Sequence, residues 1–66
     1  MLSILIPTFN YNTYPLVSEL YNQCMRIENL EFEIHVNDDA SKQTFENDLI
    51  ENLKHCYFHK QKSNQG

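Results

Sequence analysis

Two short apolar runs, Leu2-Ser3-Ile4-Leu5-Ile6 and Phe32-Glu33-Ile34-His35-Val36, each stop abruptly in polar, turn-forming residues, and a stretch with helical spacing lies between them. That order constrains the fold more than any other feature of the chain. An apolar run of this length bounded by turn signals is a strand signal. Strands separated by a helix pair in parallel, because a parallel pair needs a long crossover and an antiparallel hairpin does not. In a parallel sheet the carboxyl ends of neighbouring strands share a crevice, and ligands bind there. Phe9 and Asn10 after the first run, and Asp38 and Asp39 after the second, are therefore expected to face one small molecule.

The near-continuous apolar character of Leu2–Ile6 predicts a strand covered on both faces. It should end about Pro7, which has no N–H to donate. Asn10-Tyr11-Asn12 is loop chemistry, Thr13 is a candidate helix N-cap, and Pro15 suits a first helical turn. Leu16, Val17, Leu20, Tyr21 and Cys24 recur at helical spacing, which predicts a helix over Tyr14–Met25. In the second strand Phe32, Ile34 and Val36 alternate with Glu33 and His35, so one face should be wetter. A second helix is expected from Gln43 to Leu53, with Phe45, Leu49, Ile50 and Leu53 as its stripe and Ser41 or Thr44 as its cap. His55–His59, with Cys56 and Phe58 on one face, predicts a short third strand, and residues 60–66 an open loop. The fold class is α/β: β-α-β-α-β, a parallel three-stranded sheet whose right-handed crossovers give spatial order 3-2-1. The first strand is left as a bare apolar edge, a pairing hazard. Self-association through that strand, or marginal stability, is the expected consequence.

A chain of 66 residues forms at most one small domain, which by general scaling buries about 60% of its unfolded surface. Its hydrophobic content of 41% and charged content of 21% are those of a globular chain. The formal charge of -4 argues against a nucleic-acid polymer as partner, since phosphate backbones demand a basic face. No segment approaches the ~20 apolar residues of a membrane span. Met1 leads into a strand without a basic region before it, so no secretory signal is expected, and a cytoplasmic location is. Cys24 and Cys56 are isolated and form no metal or redox motif. They are expected to be buried free thiols, with a single disulfide as the less favoured alternative. The histidines show no metal-ligand spacing. His35 is expected to pack within its strand, and His59, Lys60 and Lys62 to form a solvated basic loop end. The one glycine is Gly66, the last residue. The expectation is that residues 1–66 are the N-terminal part of a longer domain.

With the order of elements in place, the motifs show a family likeness. Leu2-Ser3-Ile4-Leu5-Ile6-Pro7-Thr8-Phe9-Asn10 resembles the opening strand and loop of the inverting family 2 glycosyltransferases. Asp38-Asp39-Ala40-Ser41 resembles their DDGS element, and Ser63-Asn64-Gln65-Gly66 the N-x-G element after the third strand. The likeness spans the chain but covers only the first portion of such a catalytic domain. It implies the nucleotide-binding part of a GT-A type, Rossmann-like fold, in a protein that moves a sugar from a nucleotide-diphosphate donor, expected to be a UDP-sugar, to an acceptor hydroxyl. It further implies that the Pro7–Asn10 loop lies beside the base, with Phe9 offering a flat apolar face. Asp39 matches the aspartate that accepts a hydrogen bond from uracil N3–H, a task suited to a group that only accepts when ionised. Asp38 is the secondary partner, for base or ribose or as a brace of the loop. Thr8 and Asn10 are expected to shape the loop through side-chain to backbone bonds.

The chain departs from the family pattern at Ala40, where glycine is usual, which implies a backbone that needs no positive φ. Gln43 stands where a further aspartate is common, and Asn37 where an apolar residue is. The family's divalent metal, Mg or Mn, has its DxD ligands well downstream, as does the general base. No catalytic residue and no metal ligand is assigned in this chain, which is expected to bind the base without transferring sugar. A longer protein leaves membrane association open. Two other classes compete. A non-enzymatic α/β interaction module or a receiver-like domain shares the topology, but receivers carry their acidic pair after the first strand. A nucleotidyltransferase wants a glycine-rich, basic loop after the first strand, which Pro7–Thr13 lacks.

Overall fold

The two apolar runs pair side by side. In the computed structural model, which describes residues 1–61, β1 (Leu2–Thr8), β2 (Phe32–Asp38) and β3 (Cys56–Lys60) form one parallel sheet, with α1 (Tyr14–Met25) between the first two strands and a short 3₁₀ helix (Asn47–Asn52) between the last two. The order across the sheet is β1-β2-β3. The expected 3-2-1 and the observed β1-β2-β3 share the point that positions the site: β2 is the middle strand, and its carboxyl end is flanked by both neighbours. Leu2 pairs with Phe32 and Thr8 with Asp38 at the two ends of the β1–β2 register, while Ile34 pairs with Cys56 and Asp38 with Lys60 across β2–β3.

β1 runs one residue past Pro7 rather than stopping there. The backbone explains why. Leu2 N–H donates to Glu31 O, so even-numbered residues of β1 face β2 and the nitrogen of Pro7 faces the open edge, where a missing donor costs nothing. Thr8 O then accepts from Asp39 N–H at 3.0 Å, carrying the pairing into the loop.

The core lies on one face of the sheet. Val17 and Cys24 of α1, Phe32, Ile34 and Val36 of β2, Ile50 of the 3₁₀ helix and Cys56 of β3 are buried together, with Ile4, Ile6, Leu20, Tyr21, Leu53 and Phe58 packed around them. Each buried large side chain contributes about 1.5–3 kcal/mol relative to exposure. The strict alternation of β2 supplies the pattern: Phe32, Ile34, Val36 and Asp38 are buried, while Glu33 and His35 are half-buried and Asn37 is exposed. The expectation that β1 is covered on both faces is not met. Leu5 is 68% exposed, and among the described residues no element covers that side of the sheet.

The second helix also differs from expectation. Residues 43–46 are not helical, and only Asn47–Asn52 wind, as a 3₁₀ helix. Phe45 takes φ 56°, a left-handed conformation that stops α-helical propagation. The segment is also rich in residues of low helix propensity, Thr44, Phe45, Asn47 and Asp48, and too short to repay nucleation by itself. Phe45 and Leu49, two residues of the expected stripe, are 45% and 39% exposed, whereas Ile50 and Leu53 do join the core. Neither Ser41 nor Thr44 caps this helix; Glu46 stands at its N-cap without a side-chain bond.

Thr13 stands at the N-cap of α1 but its own side chain does not cap. The amides at the start of the helix are satisfied from elsewhere in the chain. Asn47, fully buried, accepts from Thr13 N–H at 2.7 Å and Tyr14 N–H at 3.1 Å through Oδ1, and its Nδ2 donates to Tyr11 O at 2.8 Å. One side chain thus caps α1, orders the loop before it, and ties both to the 3₁₀ helix. Among the described residues no helix is long and apolar enough to cross a membrane.

Candidate functional site at the strand ends

The carboxyl ends of β1 and β2 are laced together by their own loops. Asp38 ends β2 and is buried. Its carboxylate accepts from Ser41 N–H at 2.8 Å through Oδ2 and from the Ser41 hydroxyl through Oδ1. Ser41 Oγ in turn accepts from Asn10 N–H at 2.6 Å, and Asn10 Oδ1 accepts from Lys42 N–H at 2.9 Å. On the other side, Thr8 Oγ1 is 2.6 Å from Thr13 Oγ1, which joins the strand end to the start of α1. Lys60 Nζ donates to Thr44 Oγ1 at 3.0 Å, and Gln61 N–H to Asp38 O at 3.0 Å, so β3 closes the third side.

This lacing sorts the expected site residues. The side chains of Thr8, Asn10 and Asp38 are engaged within the protein. Asp38 holds the loop that follows it, the bracing role, and has no carboxylate oxygen left without a partner. Asp39 differs from its neighbour. Its backbone N–H is used by Thr8 O, but among the described residues no hydrogen bond engages its carboxylate, and the residue is partly exposed. Pro7 is exposed and Phe9 is 50% exposed. The groups open to a ligand are therefore an aromatic ring on one strand end and a carboxylate on the other.

The backbone at these loops corrects one expectation. Ala40 was expected to need no positive φ, yet it takes φ 59°, as Asn10 takes φ 49°. The turn after Asp39 has to reverse so that Ser41 N–H and Oγ meet the Asp38 carboxylate, and that reversal uses the left-handed region. Asparagine tolerates it; alanine carries a β-carbon into a conformation that glycine enters freely.

Several features of the region carry no signal in local sequence. Asn47 stands between Glu46 and Asp48 in a polar stretch, and nothing marks it as a cap for a helix 33 residues away in the chain. Ser41 reads as a helix cap and is instead the clasp between the two loops. His35, expected to pack within its strand, lies on the uncovered face beside Glu33, Tyr57 and His59. The period-two alternation of β2 and β3 does contain that last arrangement, since the odd positions of both strands fall on one face. The Ser63–Gly66 element and Lys62 lie outside the described residues.

Two concavities are found at the opposite, amino-terminal end of the sheet, around Met1, Leu30 and Glu31. Asn29 and Glu31 line one of them and Glu31, Glu33 and His55 the other, and none of the residues expected at the strand ends lines either. Among the described residues no group of three or more His, Cys, Asp or Glu side chains is placed to hold a metal ion, and nothing assigns ligands to the Mg or Mn that the family likeness implies for a longer protein. Cys24 and Cys56 are buried and free. Burial, and then the neighbouring Cys24 thiol, push the Cys56 thiol up from 9.0 to about 11, the opposite of what a nucleophile needs. The chain matches no protein-family profile, no curated protein and no solved structure.

Proposed function

We propose that this chain is the base-recognition part of a glycosyltransferase that uses a nucleotide-diphosphate sugar, with uridine as the base, and that it binds the nucleotide without performing the transfer itself. The single observation that carries the proposal is the unequal fate of the two aspartates. Asp38 is consumed by Ser41 while Asp39, beside it at the same strand end, keeps a carboxylate that no described group engages. An ionised carboxylate accepts and never donates, so it can take the N–H that uracil presents at N3; the choice of uridine among the bases rests on the family resemblance. Phe9, half exposed on the adjacent strand end, supplies a face on which a planar ring can lie. The lacing by Asn10, Ser41 and Thr8 fixes both loops before ligand arrives, which lowers the ordering cost of binding. The resemblance at Pro7–Asn10 and Asp38–Ser41 supports the same assignment. No residue here is given the role of general base or metal ligand, and sugar transfer would draw those groups from outside this stretch.

Titration of ¹⁵N-labelled protein with millimolar UDP tests the proposal. The amides of Phe9 and Asp39 shift with UDP and UMP and much less with CDP, and Asp39→Ala weakens binding by about 1.5 kcal/mol or more, roughly tenfold. A folded sample in which neither amide moves, or in which UDP and CDP act alike, removes the basis for uridine recognition. Transfer of a phosphoryl group from a small phosphodonor to Asp38 or Asp39 would instead favour the receiver-like alternative.

A further inference from the structure

The uncovered face of the sheet carries a chain of polar groups that the strand-end site does not use. Glu33 and His35 stand on β2, Tyr57 and His59 on β3, at alternate positions that share one face. His35 Nε2 is 3.2 Å from Glu33 Oε1, and His35 Nδ1 is 3.1 Å from His59 Nε2. The imidazole planes are 8° apart with centroids 5.4 Å apart. That centroid separation exceeds the nitrogen separation by about a ring width, so the rings meet edge to edge, nitrogen to nitrogen. Tyr57, directly opposite His35 in the register, stacks on its ring at 4.8 Å and 16°.

With both rings neutral, the hydrogen-bonding capacities set the tautomers. A carboxylate only accepts, so His35 carries its proton on Nε2, towards Glu33, and turns the lone pair of Nδ1 towards His59. A carboxylate behind one imidazole nitrogen, with the other nitrogen presented forwards, is the arrangement that orients metal-binding histidines and raises their basicity. We propose that His35 Nδ1 and His59 Nε2 form a two-histidine site for a divalent, imidazole-preferring cation of the Zn(II) class, with Glu33 as the positioning residue. Two Zn–N bonds of about 2.05 Å that span this gap subtend roughly 98° and hold the ion off the nitrogen–nitrogen line, so each exposed ring turns by about 40° to aim its lone pair at the ion. Imidazole nitrogens suit such a cation, and the exposed setting leaves its other positions to water. On binding, each nitrogen donates its lone pair. His59 moves its proton from Nε2 to Nδ1 through solvent, so the neutral pair takes the ion without net proton release, whereas a protonated pair loses one proton. The site is independent of nucleotide recognition. His55 is not part of it, because its ring packs edge-on against Phe32 of the core face, with centroids 5.2 Å apart.

Zn(II) titration of the protein, followed by calorimetry and by the imidazole ¹⁵N shifts, tests the assignment. One ion binds per chain at sub-millimolar to millimolar Zn(II), and the signals that move are His35 Nδ1 and His59 Nε2. His35→Gln and His59→Asn each weaken binding at least tenfold, Glu33→Gln weakens it by about tenfold, and His55→Asn leaves it unchanged. Matched far-UV spectra and melting curves confirm that these surface variants fold. No saturable binding at millimolar Zn(II), unchanged affinity in His59→Asn, or coordination through His35 Nε2 overturns the proposal, and the last can be read on the unaltered protein alone.

Discussion

Replacing Asn47 with alanine tests the way this small fold is held together. The side chain is fully buried and makes three hydrogen bonds to backbone groups of the loop and helix start: Thr13 N–H at 2.7 Å, Tyr14 N–H at 3.1 Å and Tyr11 O at 2.8 Å. In Asn47→Ala the Thr13 N–H, on a residue 2% exposed, is left without an acceptor, at a cost of about 1–3 kcal/mol. The Tyr14 N–H and Tyr11 carbonyl are only part-buried and recruit water, so their loss is closer to that of an ordinary cap, about 0.5–1 kcal/mol each. The sum is ~2–5 kcal/mol, against a total stability of ~3–10 kcal/mol for a chain of this size. The expected fall in melting temperature is roughly 8–40 °C. Asn47→Asp keeps the acceptor for both amides but turns an oxygen towards the Tyr11 carbonyl, and it recovers only part of the loss. Thermal and urea unfolding by far-UV circular dichroism, with amide exchange at Thr13 and Tyr14, give the answer. A variant that melts within ~3 °C of the parent while those two amides stay protected would show that the helix start is capped without Asn47.

Two further perturbations address the site loop and the core. Ala40→Gly relieves a β-carbon held at φ 59° and is expected to stabilise by about 0.5–1 kcal/mol, after allowing for the greater freedom of glycine in the unfolded chain. A lower urea midpoint for this variant would contradict the left-handed turn after Asp39. The Cys56 thiol is held up at about 11 against an ordinary 9.0, first by burial and then by Cys24. The folded state therefore keeps a proton that the unfolded state releases. This contribution to stability is complete below pH 9.0, declines between pH 9.0 and about 11, and is lost above that. The melting temperature should fall more steeply over that window in the parent than in Cys56→Ala, and parallel curves would exclude the linkage.

How far the site was legible depended on whether the signal was local. The strand ends were legible because an apolar run that stops at Pro7 or at Asn37-Asp38-Asp39 announces its own boundary. Their juxtaposition followed from parallel pairing, which a helix-length connection imposes. The division of labour between Asp38 and Asp39 was not legible, since adjacent identical residues differ here only in what Ser41 reaches. The second helix was misjudged for a related reason. The stripe of Phe45, Leu49, Ile50 and Leu53 has helical spacing, but Asn47 is drawn to the amides of α1 and Phe45 turns left-handed, so tertiary hydrogen bonds outweigh a weak local preference. The covering of β1 was misjudged because an apolar run records what a strand can tolerate on its faces and not which elements arrive to cover them.

By itself the sequence determined the three strands, the helix between the first two, the parallel sheet and the adjacency of two polar strand ends. Those follow from the period of apolar residues and from turn-forming residues, properties of neighbours along the chain. The tertiary structure alone decided which polar groups remain available. Ser41 takes up Asp38, Lys42 takes up Asn10, Asn47 is spent on the start of α1, and Glu33 orients His35 towards His59. The Asp39 carboxylate stays open because no nearer partner satisfies it, and partners are set by distance in space. For that reason Asp39 is told apart from Asp38, and His35 from a core histidine, only after the chain has folded.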